Sequence, residues 1–142
     1  MKNKGFTLIE LLVVIAIIGI LSAVVLASLN TARGKGADAA VKSNLNSVRA
    51  SAELRYDLDS GTYDNVCADI TVTRALDEAS QVGSGNNNSD VCFDSISNWA
   101  AAAPMKSQNL VNSSSGVDYW CVDSSGVARL TDTAPVTTVC PN

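Results

Sequence analysis

Histidine is absent from this chain. Its absence removes the commonest general base and the commonest metal ligand. There is also no glycine-rich phosphate loop, no GxSxG elbow and no CxxC pair, so phosphate-cradling, hydrolase and dithiol redox chemistry have no motif to rest on. The Asp residues are scattered, as on a solvated surface. No catalytic residue, cofactor or metal site is expected. Aromatics are 5% of the chain, and only Phe6 and Tyr56 fall on its N-terminal helical stretch, too few to line an electron-conducting path. Basic side chains are sparse after Arg55, where only Arg74, Lys106 and Arg129 follow. That is a poor footprint for phosphate contacts, and direct nucleic-acid binding by this chain is not expected.

What is present is unevenly distributed. The 142 residues are 46% hydrophobic, with a formal net charge of −4, and a large share of the apolar residues lies in one run that ends at Leu29. The rest is a small polar domain rich in Ser, Asn, Asp and Thr, whose modest core needs staples. Four cysteines are available, Cys67, Cys92, Cys121 and Cys140. An even count in a small exported domain suggests two disulfides, with three connectivities open. Cys67–Cys92 and Cys121–Cys140 are favoured. Each closes a short loop and contributes about 3 kcal/mol in the chain-entropy model. Metal binding by these thiols is disfavoured, because no two are close in sequence.

The most informative stretch is Gly5-Phe6-Thr7-Leu8-Ile9-Glu10-Leu11-Leu12-Val13-Val14-Ile15-Ala16-Ile17. It places one carboxylate, Glu10, inside an apolar run. Such a charge is expensive in lipid and usually has a partner waiting. Residues 6 to 29 would form about 36 Å of helix, enough to cross a hydrocarbon core of about 30 Å. A secretory signal peptide is the plainer reading, with a small-residue cleavage site at Val25-Leu26-Ala27. It leaves Glu10 without a purpose, and the apolar run is longer than a usual signal core. A plain membrane anchor is the other alternative.

Lys4-Gly5-Phe6-Thr7-Leu8-Ile9-Glu10 resembles the processing motif of type IV prepilins and of the related type II secretion pseudopilins. The likeness is dense from residue 2 to about residue 29. The resemblance implies an α+β pilin fold, a long N-terminal helix packed on a small C-terminal antiparallel sheet. It implies cleavage between Gly5 and Phe6 by a prepilin peptidase that also N-methylates Phe6. It implies that Glu10 meets the Phe6 amine of a neighbouring subunit during assembly. The corresponding division is a leader at 1–5, a membrane and filament-core helix at 6–29, and a globular head at 30–142. Loss of the leader removes Lys2 and Lys4, leaving 8 basic against 14 acidic side chains, or −6 before the new amine is counted.

Residues 6 to about 58 are expected to form one helix. In its second half Ala37, Val41, Leu45, Val48, Ala52 and Tyr56 recur at helical steps, with Lys42, Arg49 and Glu53 facing elsewhere. Gly19, Gly34 and Gly36 weaken it, each by about 1 kcal/mol relative to Ala. Many pilins carry a proline where this chain has Ala27, so yielding is expected near Gly34–Gly36 instead. Asp59-Ser60-Gly61-Thr62 ends the helix. Residues 63 to 98 should be an irregular connection, with a short helix at 73–81. Strands are expected at 99–103, 117–123, 127–130 and 136–139, with a turn at Ser124-Ser125-Gly126. Trp99 and Trp120 should be core. Asp118, Asp123 and Asp132 lack calcium-loop spacing. Asn87-Asn88-Ser89 and Asn112-Ser113-Ser114 match the glycosylation acceptor pattern, but such triplets arise often by chance in loops of this composition.

The expectation is therefore a structural subunit of an extracellular type IV pilus. The alternative is a minor pilin or a pseudopilin of a type II secretion system. Expected partners are copies of itself, the prepilin peptidase and N-methylase, the pilus assembly platform, and the bacterial inner membrane before assembly.

Overall fold

A computed structural model describes residues 5, 7–86, 89–107, 110–111 and 116–141. The leader residues 1–4, Phe6 and most of both glycosylation triplets lie outside that set. The chain divides into two compact units, Met1–Arg33 and Gly34–Asn142. The first holds the apolar part of helix α1, Leu8–Leu58. Helical structure runs unbroken through Gly19, Gly34 and Gly36.

In the second unit, α1 ends because Ser60 and Gly61 take positive φ, 60° and 82°. The Gly61 N–H then donates to the Tyr56 carbonyl at 2.9 Å, a glycine C-cap. A 3-10 turn, Val66–Ala68, and helix α2, Ile70–Gly83, follow. The Asp69 carboxylate caps α2, accepting the Thr71 N–H at 2.8 Å. Four antiparallel strands complete the unit: β1 Val91–Asp94, β2 Trp99–Pro104, β3 Tyr119–Asp123 and β4 Ala128–Thr131, in the order β1-β2-β3-β4.

The sheet is covered on both faces. On one face Val41, Leu45, Val48 and Ala52 of α1 and Val72, Leu76 and Ala79 of α2 pack with Trp99, Ala101, Ala103 and Val122. On the other, Ala102 and Cys121 pack against Cys140. All six residues of β2 are consequently buried. The alanines there have poor intrinsic strand preference, and burial on both faces overrides it. Alanine also allows close approach. A Cβ added to Gly83, at the end of α2, would lie 1.8 Å from the Pro104 carbonyl oxygen of β2.

Disulfides join Cys67 to Cys92 and Cys121 to Cys140. The first ties the 3-10 turn to β1, and the Cys67 N–H also donates to the Asp94 carboxylate at 2.9 Å. The second folds the C-terminal segment onto β3.

Several local expectations are corrected. Residues 63–98 are largely regular, holding the 3-10 turn, a 14-residue α2 and β1. Residues 136–139 form no strand. They are held by the Cys121–Cys140 bond and by the Cys140 N–H on Asp123, with Val136 and Val139 exposed. Lys42 and Arg49 do not face away from the sheet. The Lys42 ammonium sits 4.3 Å from the centroid of the half-buried Trp120 ring, and the Arg49 guanidinium donates to the Val127 carbonyl at 2.6 Å. Asp38 is buried on the same helix face as Val41.

Candidate functional site: the N-terminal helix

The first unit has no core of its own. Every described residue from Thr7 to Arg33 is exposed, and Leu8, Ile9, Ile20, Val24 and Leu26 are each more than 60% exposed. The richest 18-residue window has a mean hydropathy of 3.0, so by length and composition this helix can cross a membrane. A shallow groove on it is lined by Leu21, Ser22, Val25 and Leu26. A bare apolar rod of this kind is unstable in water, and its surface must be covered by lipid or by protein.

Its start is a capping box. The Thr7 N–H donates to Glu10 Oε2 at 2.8 Å and the Thr7 hydroxyl donates to the same oxygen at 2.7 Å. In return the Glu10 N–H donates to Thr7 Oγ1 at 3.3 Å. Thr7 is the N-cap of α1 and Glu10 its third helical residue, so two of the helix's unpaired N–H groups are satisfied reciprocally. The carboxylate also faces the positive end of the helix dipole. None of these three bonds uses Glu10 Oε1. The capping role is legible in the spacing Thr7-x-x-Glu10, although the family resemblance alone assigns Glu10 only to a neighbouring subunit.

Of the other residues singled out, Gly5 is exposed and a Cβ there would meet nothing within 4 Å; the same holds for Gly19 and Gly36. Gly34 differs, with Ser107 Oγ 3.5 Å from its would-be Cβ. The acidic residues of the head are occupied with the backbone. Asp38 Oδ1 accepts the N–H groups of Lys106 and Ser107 at 2.8 and 3.0 Å. Asp118 Oδ2 accepts from Leu110 at 2.6 Å. Asp123 accepts from Ser125, Val127 and Cys140.

The family description "Prokaryotic N-terminal methylation motif" matches residues 1–26. A curated relative, the type IV wide pilus major component PilA4 of Thermus thermophilus, is 48% identical over 64 residues. The aligned stretch is 44% of this chain and 48% of the relative, so the chain spans about half the length of that relative. Over these stretches the chain is similar to type IV pilins. No solved structure matches it. The pilin family is a structural one, not an enzyme family, and the long apolar helix with a four-stranded antiparallel head is the pilin-like α+β architecture.

Proposed function

We propose that this chain is the structural subunit of an extracellular type IV pilus. It is inserted in the bacterial inner membrane as a precursor, cut after Gly5, N-methylated at Phe6, and polymerised with copies of itself by an assembly platform. The observation that carries this reading is the fully exposed apolar helix that begins with a carboxylate. Lipid can cover the rod before assembly, and the rods of other copies can cover it afterwards. Glu10 is the assembly residue in this reading. One carboxylate oxygen caps its own helix, and the other, which makes none of those bonds, would meet the Phe6 amine of an adjacent subunit. An isolated carboxylate within a water-free bundle is unfavourable, and an amine there supplies the opposite charge. Gly19, Gly34 and Gly36 are the points at which the helix can yield in the filament.

The relative's name, a major pilus component, supports a major subunit here. The test has two parts. Intact-mass measurement of the mature subunit is expected to give a chain beginning at Phe6 with one added methyl group, and a chain beginning at Ser28 would establish a signal peptide instead. Filaments sheared from cells are expected to contain this chain as the dominant band. A trace amount would assign it to a minor pilin or pseudopilin.

A further inference from the structure

The two disulfides of the head sit in different surroundings. Cys121 and Cys140 are 0% and 3% exposed. They cluster with Ala102, and Val91, Tyr119 and Val127 pack around them. A thiol from solvent reaches that bond only when the C-terminal segment lifts off the sheet. Cys67 and Cys92 are half-buried. Cys92 lies on β1, at one end of the strand order, and Cys67 lies in the three-residue 3-10 turn beside it. Their chain neighbours Ala68 and Phe93 are exposed. Thiol–disulfide exchange needs direct access of a thiolate to a sulfur, so access separates the two bonds.

The 3-10 turn does not depend on its disulfide alone. Val66 is 0% exposed and belongs to the main core. The Cys67 N–H donates to the Asp94 carboxylate at 2.9 Å, and the Tyr63 N–H donates to the Ile96 carbonyl at 3.1 Å. These holds remain when the sulfur–sulfur bond is open. They keep Cys67 beside Cys92, so reclosure is intramolecular and favoured by a high effective concentration. β2 and β3, which carry the buried bond and most of the sheet's core residues, are untouched by the opening.

We propose that Cys67–Cys92 is a thiol-exchange site, opened and reclosed by a dithiol while the head stays folded, and that Cys121–Cys140 is a permanent staple. One thiolate of the dithiol attacks a sulfur of the Cys67–Cys92 bond. A mixed disulfide forms, and the other cysteine leaves as a thiolate that takes up a proton. The second thiol of the dithiol then attacks the mixed disulfide, closes its own ring and frees the remaining cysteine. The dithiol is oxidised by two electrons and the cysteine pair is reduced by two. The result is a redox-responsive surface at residues 64–68 and 91–94. The site depends on the folded head alone, not on filament assembly.

The test is reduction of the full chain in detergent micelles by dithiothreitol at neutral pH, without denaturant. New thiols are trapped with N-ethylmaleimide and read by peptide mass spectrometry. Cys67 and Cys92 should be labelled together, at least about tenfold faster than Cys121 and Cys140, because the buried pair reacts only through local unfolding. In guanidinium that preference should vanish. At the stage where only Cys67 and Cys92 are reduced, hydrogen exchange should rise at 64–68 and 91–94 and stay slow at 99–104 and 119–123. Removal of dithiothreitol in air should restore the Cys67–Cys92 pairing. Equal rates for the two bonds, faster labelling of Cys121 and Cys140, or no labelling short of denaturant would each overturn the site. So would a preference that persists in guanidinium, which would be intrinsic to the cysteines, or loss of protection in β2 and β3 when only the first bond is open.

Discussion

Gly83 and Pro104 are in backbone contact. The end of α2 lies so close to β2 that any side chain at Gly83 would collide with the Pro104 carbonyl, and Val41 of α1 stands 3.4 Å from the same point. Gly83→Ala gains about 1 kcal/mol of helix propensity, but the carbonyl belongs to a central strand and cannot give way as a side chain would. The variant should be destabilised by about 2–3 kcal/mol, seen as a lower melting temperature of the disulfide-bonded chain. An unchanged or higher melting temperature would mean that α2 and β2 are further apart than described.

The two disulfides should act on different parts of the head. Cys121→Ser/Cys140→Ser frees the C-terminal segment that covers one sheet face, and Cys67→Ser/Cys92→Ser frees the 3-10 turn from edge strand β1. Each pair should cost about 3 kcal/mol by loop entropy. Hydrogen exchange should locate the losses separately, at 132–141 for the first variant and at 64–68 and 91–94 for the second. Non-reducing peptide mapping that joined Cys67 to Cys121 or Cys140 would contradict the structure.

Asp123 makes head stability depend on acid. Burial pushes its carboxyl pKa up, but hydrogen bonds from the Ser125 hydroxyl and from the N–H groups of Cys140, Val127 and Ser125 outweigh burial and hold it below the ordinary value. A carboxyl with a depressed folded-state pKa contributes stability above its unfolded pKa, about 3.9 for Asp, and loses it as pH falls toward the folded value. The stability advantage of the wild-type chain over Asp123→Asn should therefore be full above about pH 5 and shrink below about pH 4. A gap that widened on acidification would reverse the assignment.

Glu10 combines a cap and a charge, and substitutions can separate them. Glu10→Ala removes both. Glu10→Gln keeps a side chain that can complete a capping box but has no charge for an amine. Thr7→Ala removes the cap and keeps the charge. If the charge drives assembly, Glu10→Ala and Glu10→Gln should both be processed, accumulate in the membrane and yield few filaments, while Thr7→Ala yields more than either. The readout is the ratio of sheared-filament protein to membrane-bound protein. Normal filament yield from Glu10→Gln would reduce Glu10 to a helix cap.

The N-terminal segment was legible because its signals are local. Gly5 through Glu10 is a contiguous motif, and a long apolar run needs no tertiary partner to be recognised; the cap that Thr7-x-x-Glu10 closes within one helical turn was missed although its spacing is local. The end of α1 was legible for the same reason, since Ser60 and Gly61 supply the positive φ that stops it. So was the β3–β4 turn, where Gly126 takes φ of 89° and Asp123 caps the loop.

Tertiary structure decided what long-range contacts decide. β1 is four residues of mixed pattern, and it is a strand because β2 pairs with it and Cys67 tethers it. Residues 136–139 carry two valines suited to a strand, yet they do not form one, because Cys140 is pulled to Cys121 and Asp123 instead. Lys42 and Arg49 follow a solvent-facing pattern along the helix, but the far part of the sheet brings the Trp120 ring and the Val127 carbonyl to them. Asp38 interrupts an apolar stripe, and only the arrival of residues 106 and 107 explains why it can be buried. The sequence by itself determined the apolar rod, which follows from composition within a few turns, while the α+β class came with the pilin resemblance carried by Gly5 through Glu10. Which strands pair depended on the tertiary packing of the sheet, and which polar groups α1 turns inward depended on partners 68 to 78 positions away, whose approach no local pattern encodes.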